Sequence, residues 1–330
     1  MKPSFVIPII QELAAELGIV FEVEERYGHA GRLILSDGST RYISGSLFDL
    51  NDAGATAVAK DKDYASYFLA KSGFPVPVGE AFHTKEWAKY IQSDRAVDAA
   101  WEYVQTIGLP VIVKPNSKSQ GDGVSLARTK SDFIQAVNRA SKNERVFLVQ
   151  KPIIGKDYRI VVLDGEVISA YERIPLFIIG DGTRTITELI DAKQHEFNRM
   201  NRNTIIDIND PRILVTLRQK KLAFSSIIDA GVILTLLPNA NLSTGGDAKD
   251  VTESIHPDWK MLTTKIAQAT NLRFIGIDIM TNTDLSDAPK DYPVLEINAS
   301  PGLDNYASIG EKQHAVVKEL YRKVLMAMMC

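Results

Sequence analysis

The sequence predicts an α+β fold with mixed α/β layers, and three observations carry that reading. Amphipathic helical stretches are mixed with short apolar strands rather than alternating with them in regular crossovers. Asp164-Gly165 and Ser36-Asp37-Gly38-Ser39 are hairpin signals, which join antiparallel neighbours and argue against a doubly wound parallel sheet. The 330 residues, 45% hydrophobic and 24% charged, are enough for a large core and about two domains.

The elements follow in order. Ile9, Ile10, Leu13, Ala14 and Leu17 recur at helical spacing within Ile7 to Leu17, and Gly18 stands at the stop. Strand-like runs Ile19 to Glu24 and Gly31 to Leu35 lead into the Ser36–Ser39 turn. Asp63 to Ser72 reads as a helix ended by Gly73-Phe74-Pro75-Val76-Pro77, and a further helix is expected through Ala88 to Thr106. Val111 to Lys114 is a short strand; a glycine-bearing loop runs to Gly123, and Val124 to Ala127 is the next strand. Ser131 is expected to cap a helix with Phe133, Ile134, Val137 and Ala140 on its apolar face. Val146 to Val149 is a strand, and Ile160 to Leu163 and Glu166 to Ala170 flank Asp164-Gly165. Thr185 with Glu188 is a capping box. Trp259, Leu262, Ile266 and Ala269 mark a helix, followed by strands Phe274 to Met280 and Val294 to Ile297 and a last helix from about Glu311.

Charge and cysteine content exclude several classes. Lys plus Arg number 38 against 41 Asp plus Glu, a net charge of -3, so no global positive field recruits nucleic acid or an acidic membrane. The single cysteine, Cys330, cannot form an intramolecular disulfide or a multi-thiolate metal site, and a cytoplasmic location is expected. The start Met1-Lys2-Pro3-Ser4-Phe5 lacks a signal-type apolar core, and no stretch approaches the ~18 apolar residues of a spanning helix.

Three constellations bear chemistry. Val111-Ile112-Val113-Lys114-Pro115 is followed by a loop with Ser119, Gly121 and Gly123; a lysine fixed at a strand end beside backbone N–H groups suits a nucleotide phosphate. It is neither a Walker A loop nor a dinucleotide fingerprint, and alone it reads sooner as a turn beside a lysine that leaves the core for solvent. In the strands Phe274 to Met280 and Tyr292 to Asn298, period two places Gly276, Asp278 and Met280 on one face, and Val294, Glu296 and Asn298 on another. If the strands pair, Asp278, Glu296 and Asn298 offer converging hard oxygen ligands suited to magnesium; the alternative is a hairpin with one solvated face. Arg159, Arg173 and Arg184 form a third set, each of which could be a surface charge, and Asn239 to Asp250 reads as a long polar loop suited to a mobile cover. The five histidines have no metal-ligand spacing, and no Gly-x-Ser-x-Gly elbow occurs.

Taken in register, these motifs resemble the ATP-grasp superfamily, most closely the ATP-binding half of cyanophycin synthetases and the glutathione-synthetase-like part of bifunctional glutathione enzymes. The resemblance spans roughly Ala59 to Gly310. It rests on Asp61-Lys62-Asp63, Val111-Ile112-Val113-Lys114-Pro115, Gly121-Asp122-Gly123, Gly155-Lys156-Asp157-Tyr158-Arg159, and Asp164-Gly165. It continues through Arg173, Gly180-Asp181-Gly182, Asn241 to Gly246, Gly276-Ile277-Asp278 and Glu296 to Gly302. It implies an ATP-grasp fold in which two α+β subdomains grip ATP. The implied division is a short α+β region over 1–58 and an ATP-grasp domain over 59–330. That domain divides into a leading helical segment 59–106, a lid 107–152 and a core with the metal site 153–330.

By the resemblance, Lys62 and Lys114 contact the ATP phosphates, Ser119, Gly121 and Gly123 belong to the phosphate-covering loop, and Gln150, Lys151 and Ile153 form the adenine hinge. Asp278, Glu296 and Asn298 bind magnesium, two ions with manganese as a substitute. Arg159 and Arg173 lie near the transferred phosphate or the substrate, and Asn241 faces the acceptor side. The implied activity joins a small-molecule carboxylate to an amine through an acyl phosphate, with release of ADP and phosphate; silent ATP binding and phosphotransfer are the alternatives. The chain departs from the family in three ways. Gln150-Lys151-Pro152 stands where relatives often place a glutamate that meets the ribose, with Asp157 as a substitute. The Mur-ligase-like and glutamate–cysteine ligase halves are absent, which disfavours polymerisation and complete glutathione synthesis. The stretch before Lys62 is short for a three-layer substrate domain of ~100 residues, so an altered substrate site or a completing homodimer is expected.

Overall fold

Residues 4–118, 121–200, 202 and 204–329 are described in a computed structural model of the chain, so Ser119 and Cys330 lie outside the described residues. Contacts divide the chain into two units, each assembled from separated stretches: Asp52–Gly165 with Ser254–Ala299, and Met1–Asn51 with Glu166–Glu253 and Ser300–Cys330.

The first unit holds a four-stranded antiparallel sheet in the order Gly79–His83, Val146–Gln150, Val111–Pro115, Ser125–Ala127. Alternation along these strands separates two faces. Phe82, Val111, Val113, Ala127, Phe147 and Val149 form a core with Ala100 and Val104 of helix Val97–Ile107 and Phe133, Ala136 and Val137 of helix Lys130–Ala140. The register puts Ile112, Lys114, Leu148 and Gln150 on the other face. In the same unit, strand Phe274–Thr281 lies between Lys156–Leu163 and Val294–Asn298, antiparallel to both. Its Ile275, Ile277 and Ile279 are fully buried, and helix Pro257–Thr270 packs on it through an apolar side that includes Trp259 and Ile266. Helices Ala53–Lys60 and Lys62–Lys71 lie against Val294–Asn298.

Two expectations for this unit are corrected. The helix expected through Ala88 to Thr106 is two helices, Lys85–Tyr90 and Val97–Ile107. Gln92 takes a positive φ of 56°, and the Ser93 hydroxyl accepts the Arg95 N–H, so local polar bonds replace the helical ladder there. The cap of helix Lys130–Ala140 is Thr129, not Ser131: Thr129 accepts the Asp132 N–H, and the Asp132 carboxylate accepts the Thr129 N–H in return.

The second unit contains an antiparallel meander, Val20–Val23, Ala30–Ile34, Thr40–Ser44 and Leu47–Phe48. Helices Val6–Glu16 and Glu311–Met329 pack together, with Lys318 bonded to Glu12 and Glu16 at 2.8 and 2.9 Å. A separate core gathers Leu176, Ile186, Leu189, Ile190, Phe197 and Leu217 around helix Ile186–Arg199, whose Thr185–Glu188 capping box is present. The segment Asn239 to Asp250, expected as a long polar loop, is not irregular throughout. It contains a 3-10 turn at Leu242–Thr244 and the strand Asp247–Asp250, which pairs with Glu166–Ile174. Beside it lies a buried guanidinium: Arg202, 3% exposed, donates to the Leu242 and Gly246 carbonyls and to Asp247 at 2.8 Å.

Candidate functional site

Strand register builds the acidic side of the site. Asp278 stands directly opposite Arg159 on one neighbouring strand and Glu296 on the other. Opposed residues of antiparallel strands share a face, so the three project together, with Asn298 two residues beyond Glu296 and opposite Gly276. The expectation that Val294 shares this face is corrected. The register slips between Asp278 and Ile279, so that Ile279 pairs with Val294 and Leu295 is an extra residue in a bulge. Val294 therefore turns into the core, 1% exposed, while Glu296 and Asn298 stay beside Asp278. Arg159 holds both carboxylate oxygens of Asp278, Nε on Oδ1 and Nη2 on Oδ2 at 2.9 Å. Asp278 is 1% exposed; burying such a charge is tolerable because the bidentate partner satisfies it.

Lysines complete the other side. Asp61 caps helix Lys62–Lys71 by accepting the Tyr64 N–H at 2.9 Å, which places Lys62 in the first turn. The Lys62 ammonium lies 3.5 Å from Glu296 Oε2 and donates to the Lys118 carbonyl at 2.5 Å. Lys114 leaves its strand on the face opposite the hydrophobic core. Burial pushes its ammonium down to about 8, with Lys62 acting in the same sense and Glu296 and Asp278 opposing it. Lys62, Lys114, Asp278 and Glu296 thus share one electrostatic neighbourhood.

The loop after Lys114 turns on Gly121 and Gly123, at φ 70° and 76°, and Lys118 binds Asp122 at 2.6 Å across it. A Cβ on Gly123 would stand 3.0 Å from the Pro115 ring, so the loop lies close on its own strand. Gln150 is buried on the Lys114 face, opposite Gly79, where a Cβ would lie 2.3 Å from the Gln150 Cγ. Lys151 is fixed at both ends, its N–H on the Val78 carbonyl at 2.8 Å and its ammonium on the Gly108 carbonyl at 2.9 Å. Ile153 is partly buried just beyond, and Asp157 stands opposite Met280, two residues from Arg159 and on the same face.

Arg173 and Asn241 belong to the second unit. Arg173 stands opposite Ala248 in the strand pair, and the Asn241 carbonyl accepts the N–H groups of Thr244 and Gly246 at 3.2 and 3.0 Å. Sequence reasoning missed two organising side chains, Asn116 in the first unit and Arg202 in the second. Both are polar residues in polar stretches, and only their burial, 4% and 3% exposed, distinguishes them.

The donor set fits magnesium. Among the described residues no three His, Cys, Asp or Glu side chains are grouped to hold an ion, so a cation here would rest on two carboxylates and one amide. Magnesium takes few protein oxygens and fills its shell from water and phosphate. Asn298 lies on the face it shares with Glu296 and Asp278, where its amide oxygen would be the third donor.

A fold of antiparallel α+β units carrying paired lysines, a glycine loop and an Asp–Glu–Asn oxygen set offers the groups that a nucleoside triphosphate and its cation need. Residues 59–176 and 238–317, more than half of the chain, match the model of the RimK-like ATP-grasp domain, and the chain belongs to that family. It is similar to the cyanophycin synthetase of Trichormus variabilis, 32% identical over 74% of this chain and 26% of that protein. It is also similar to the glutathione biosynthesis bifunctional protein of Streptococcus mutans, 28% identical over 87% of this chain and 38% of that protein. The chain therefore spans well under half the length of these relatives. Among solved structures, a bifunctional glutathione synthetase from Pasteurella multocida shares the fold, with a TM-score of 0.61 at 22% identity over 98% of this chain and 44% of that one. No helix among the described residues is long and apolar enough to cross a membrane.

Proposed function

We propose that this protein is an ATP-dependent carboxylate–amine ligase acting on an amino acid, small peptide or related metabolite. The observation that carries the reading is the meeting of Lys62, Lys114 and Arg159 with Asp278, Glu296 and Asn298 in one unit. The two lysines bind the phosphates of ATP, the loop with Gly121 and Gly123 covers them, and Gln150, Lys151 and Ile153 present backbone to the adenine. Asp278, Glu296 and Asn298 hold magnesium, which when bound neutralises charge on the phosphate oxygens. Arg159 holds both oxygens of Asp278 and orients it toward the face it shares with Glu296. Arg173 and Asn241 serve the transferred phosphate and the acceptor side.

In this reading the carboxylate of the acid substrate attacks the γ-phosphorus, the bond to the β–γ bridging oxygen breaks, and ADP leaves. The amine then attacks the acyl carbon, loses a proton and expels phosphate, leaving an amide. Charge neutralisation and exclusion of water drive such transfer, and no protein nucleophile is needed. The test is incubation with Mg-ATP and pooled amino acids and dipeptides, with ADP measured and products identified by mass spectrometry. ADP and phosphate are expected only when acid and amine are both present. Stoichiometric AMP and pyrophosphate, or a stable phosphorylated product without amide, would refute ligation by this route.

A further inference from the structure

We infer that Asn116 is a positioning residue that fixes Lys62 relative to Lys114 and ties it to the glycine loop. The inference rests on the proposed reading that these lysines meet ATP phosphates. Asn116 is 4% exposed, and both ends of its carboxamide are used. Oδ1 accepts the Asp63 N–H at 3.0 Å, and Nδ2 donates to Asp61 Oδ2 at 2.6 Å. Its carbonyl accepts the Lys62 N–H at 3.4 Å, and its own N–H donates to the Val146 carbonyl at 3.2 Å. One side chain therefore clamps the first turn of helix Lys62–Lys71 onto the end of the strand that carries Lys114.

The clamp acts on the lysine itself. Residues 114–118 hold Lys62 at both ends, its backbone N–H through the Asn116 carbonyl and its ammonium through the Lys118 carbonyl at 2.5 Å. Lys118 in turn binds Asp122, between Gly121 and Gly123. A displacement of the glycine loop is thus carried to Lys62 through two contacts, and the Asn116 bonds resist it. The chemistry demands a carboxamide. An aspartate would set two carboxylates at the 2.6 Å contact with Asp61, and an apolar side chain would strand Asp61 and the Asp63 N–H.

This dictates an exchange experiment on the full chain, reading Mg-ATP binding by calorimetry with circular dichroism and melting temperature as folding checks. Asn116→Asp is expected to weaken Mg-ATP by about tenfold, the scale of one charged contact. It should also speed hydrogen exchange at the Asp63 amide without ATP. The double variant Asn116→Asp with Asp61→Asn restores a donor and an acceptor with the direction reversed. The amide introduced at position 61 keeps an oxygen that caps the helix, so Mg-ATP affinity should return to within about twofold of wild type. A folded Asn116→Asp protein with wild-type affinity overturns the proposal. Where the single variant does not fold, the double variant decides: folding with restored affinity supports the proposal, and folding without it overturns it. Lys62→Ala separates the two levels of the argument. If its Mg-ATP affinity is unchanged, the lysine reading fails and the proposal with it; if Lys62→Ala weakens binding and folded Asn116→Asp does not, the proposal alone fails.

Discussion

Lys114 gives the sharpest test, because its burial makes a site lysine titrate near neutrality. Its proton is held with a value of about 8, against the ordinary lysine value of 10.5. With that value the side chain is roughly 90% charged at pH 7 and roughly 10% charged at pH 9, so the form that binds phosphate falls about tenfold. The KM for ATP is expected to rise by the same factor over that interval. Lys114→Arg stays charged throughout and should lack this component of the pH profile. The assay is ADP release at varied ATP from pH 7 to 9.5 for both proteins. Identical pH profiles would refute the reasoning, since no titration could then be assigned to Lys114.

Stability has the opposite sign. The folded value lies below the unfolded one, so between about 8 and 10.5 the unfolded chain binds more protons, and the wild-type protein gains stability as pH rises through that window. Below pH 8 the charged form of Lys114, a partly buried residue, costs on the order of 3 kcal/mol. Lys114→Met should therefore melt higher than wild type at pH 7 while binding ATP more weakly. A lower melting temperature would show that the ammonium stabilises the fold.

Three further outcomes follow from the geometry. Glu296→Ala should fold and lose at least ~100-fold in ADP release; activity within tenfold would remove Glu296 from the metal set. Arg159→Ala takes away the guanidinium that holds both oxygens of buried Asp278 and should cost about 3–5 kcal/mol in chemical denaturation, whereas a cost below ~1 kcal/mol would mean that the pair is solvated. Gly79→Ala places a methyl against Gln150 and the Val149 carbonyl and should destabilise by about 1–3 kcal/mol; an unchanged melting temperature would contradict the register of those strands.

The fold class and the oxygen donors were legible because strand alternation is a strong local signal. Asp278 sits between Ile277 and Ile279, and Glu296 between Leu295 and Ile297, and a polar residue in such an apolar run must have a reason. Val294 misled for the same reason: period two holds until a bulge interrupts it, and nothing in Val294-Leu295-Glu296 marks the extra residue. The cap at Thr129 was hidden by the neighbouring Ser131, since both are good capping residues and only the reciprocal bond with Asp132 decides between them. The split of the expected long helix depended on a short polar stretch, Ser93 to Arg95, whose local bonds outweigh an otherwise helical pattern. Asn116 and Arg202 were illegible in principle. Their importance lies in burial and in partners scattered along the chain, such as Asp61 for one and Gly246 for the other.

The extra residue at Leu295 reverses the facing of its strand partway along. Outward of it, Val294 faces the core and its N–H is anchored to the Pro75 carbonyl at 2.8 Å; inward of it, Glu296 and Asn298 keep step with Asp278 and Gly276. Val294 and Glu296, two residues apart, therefore face opposite sides, and one short strand serves both the core and the oxygen-bearing face.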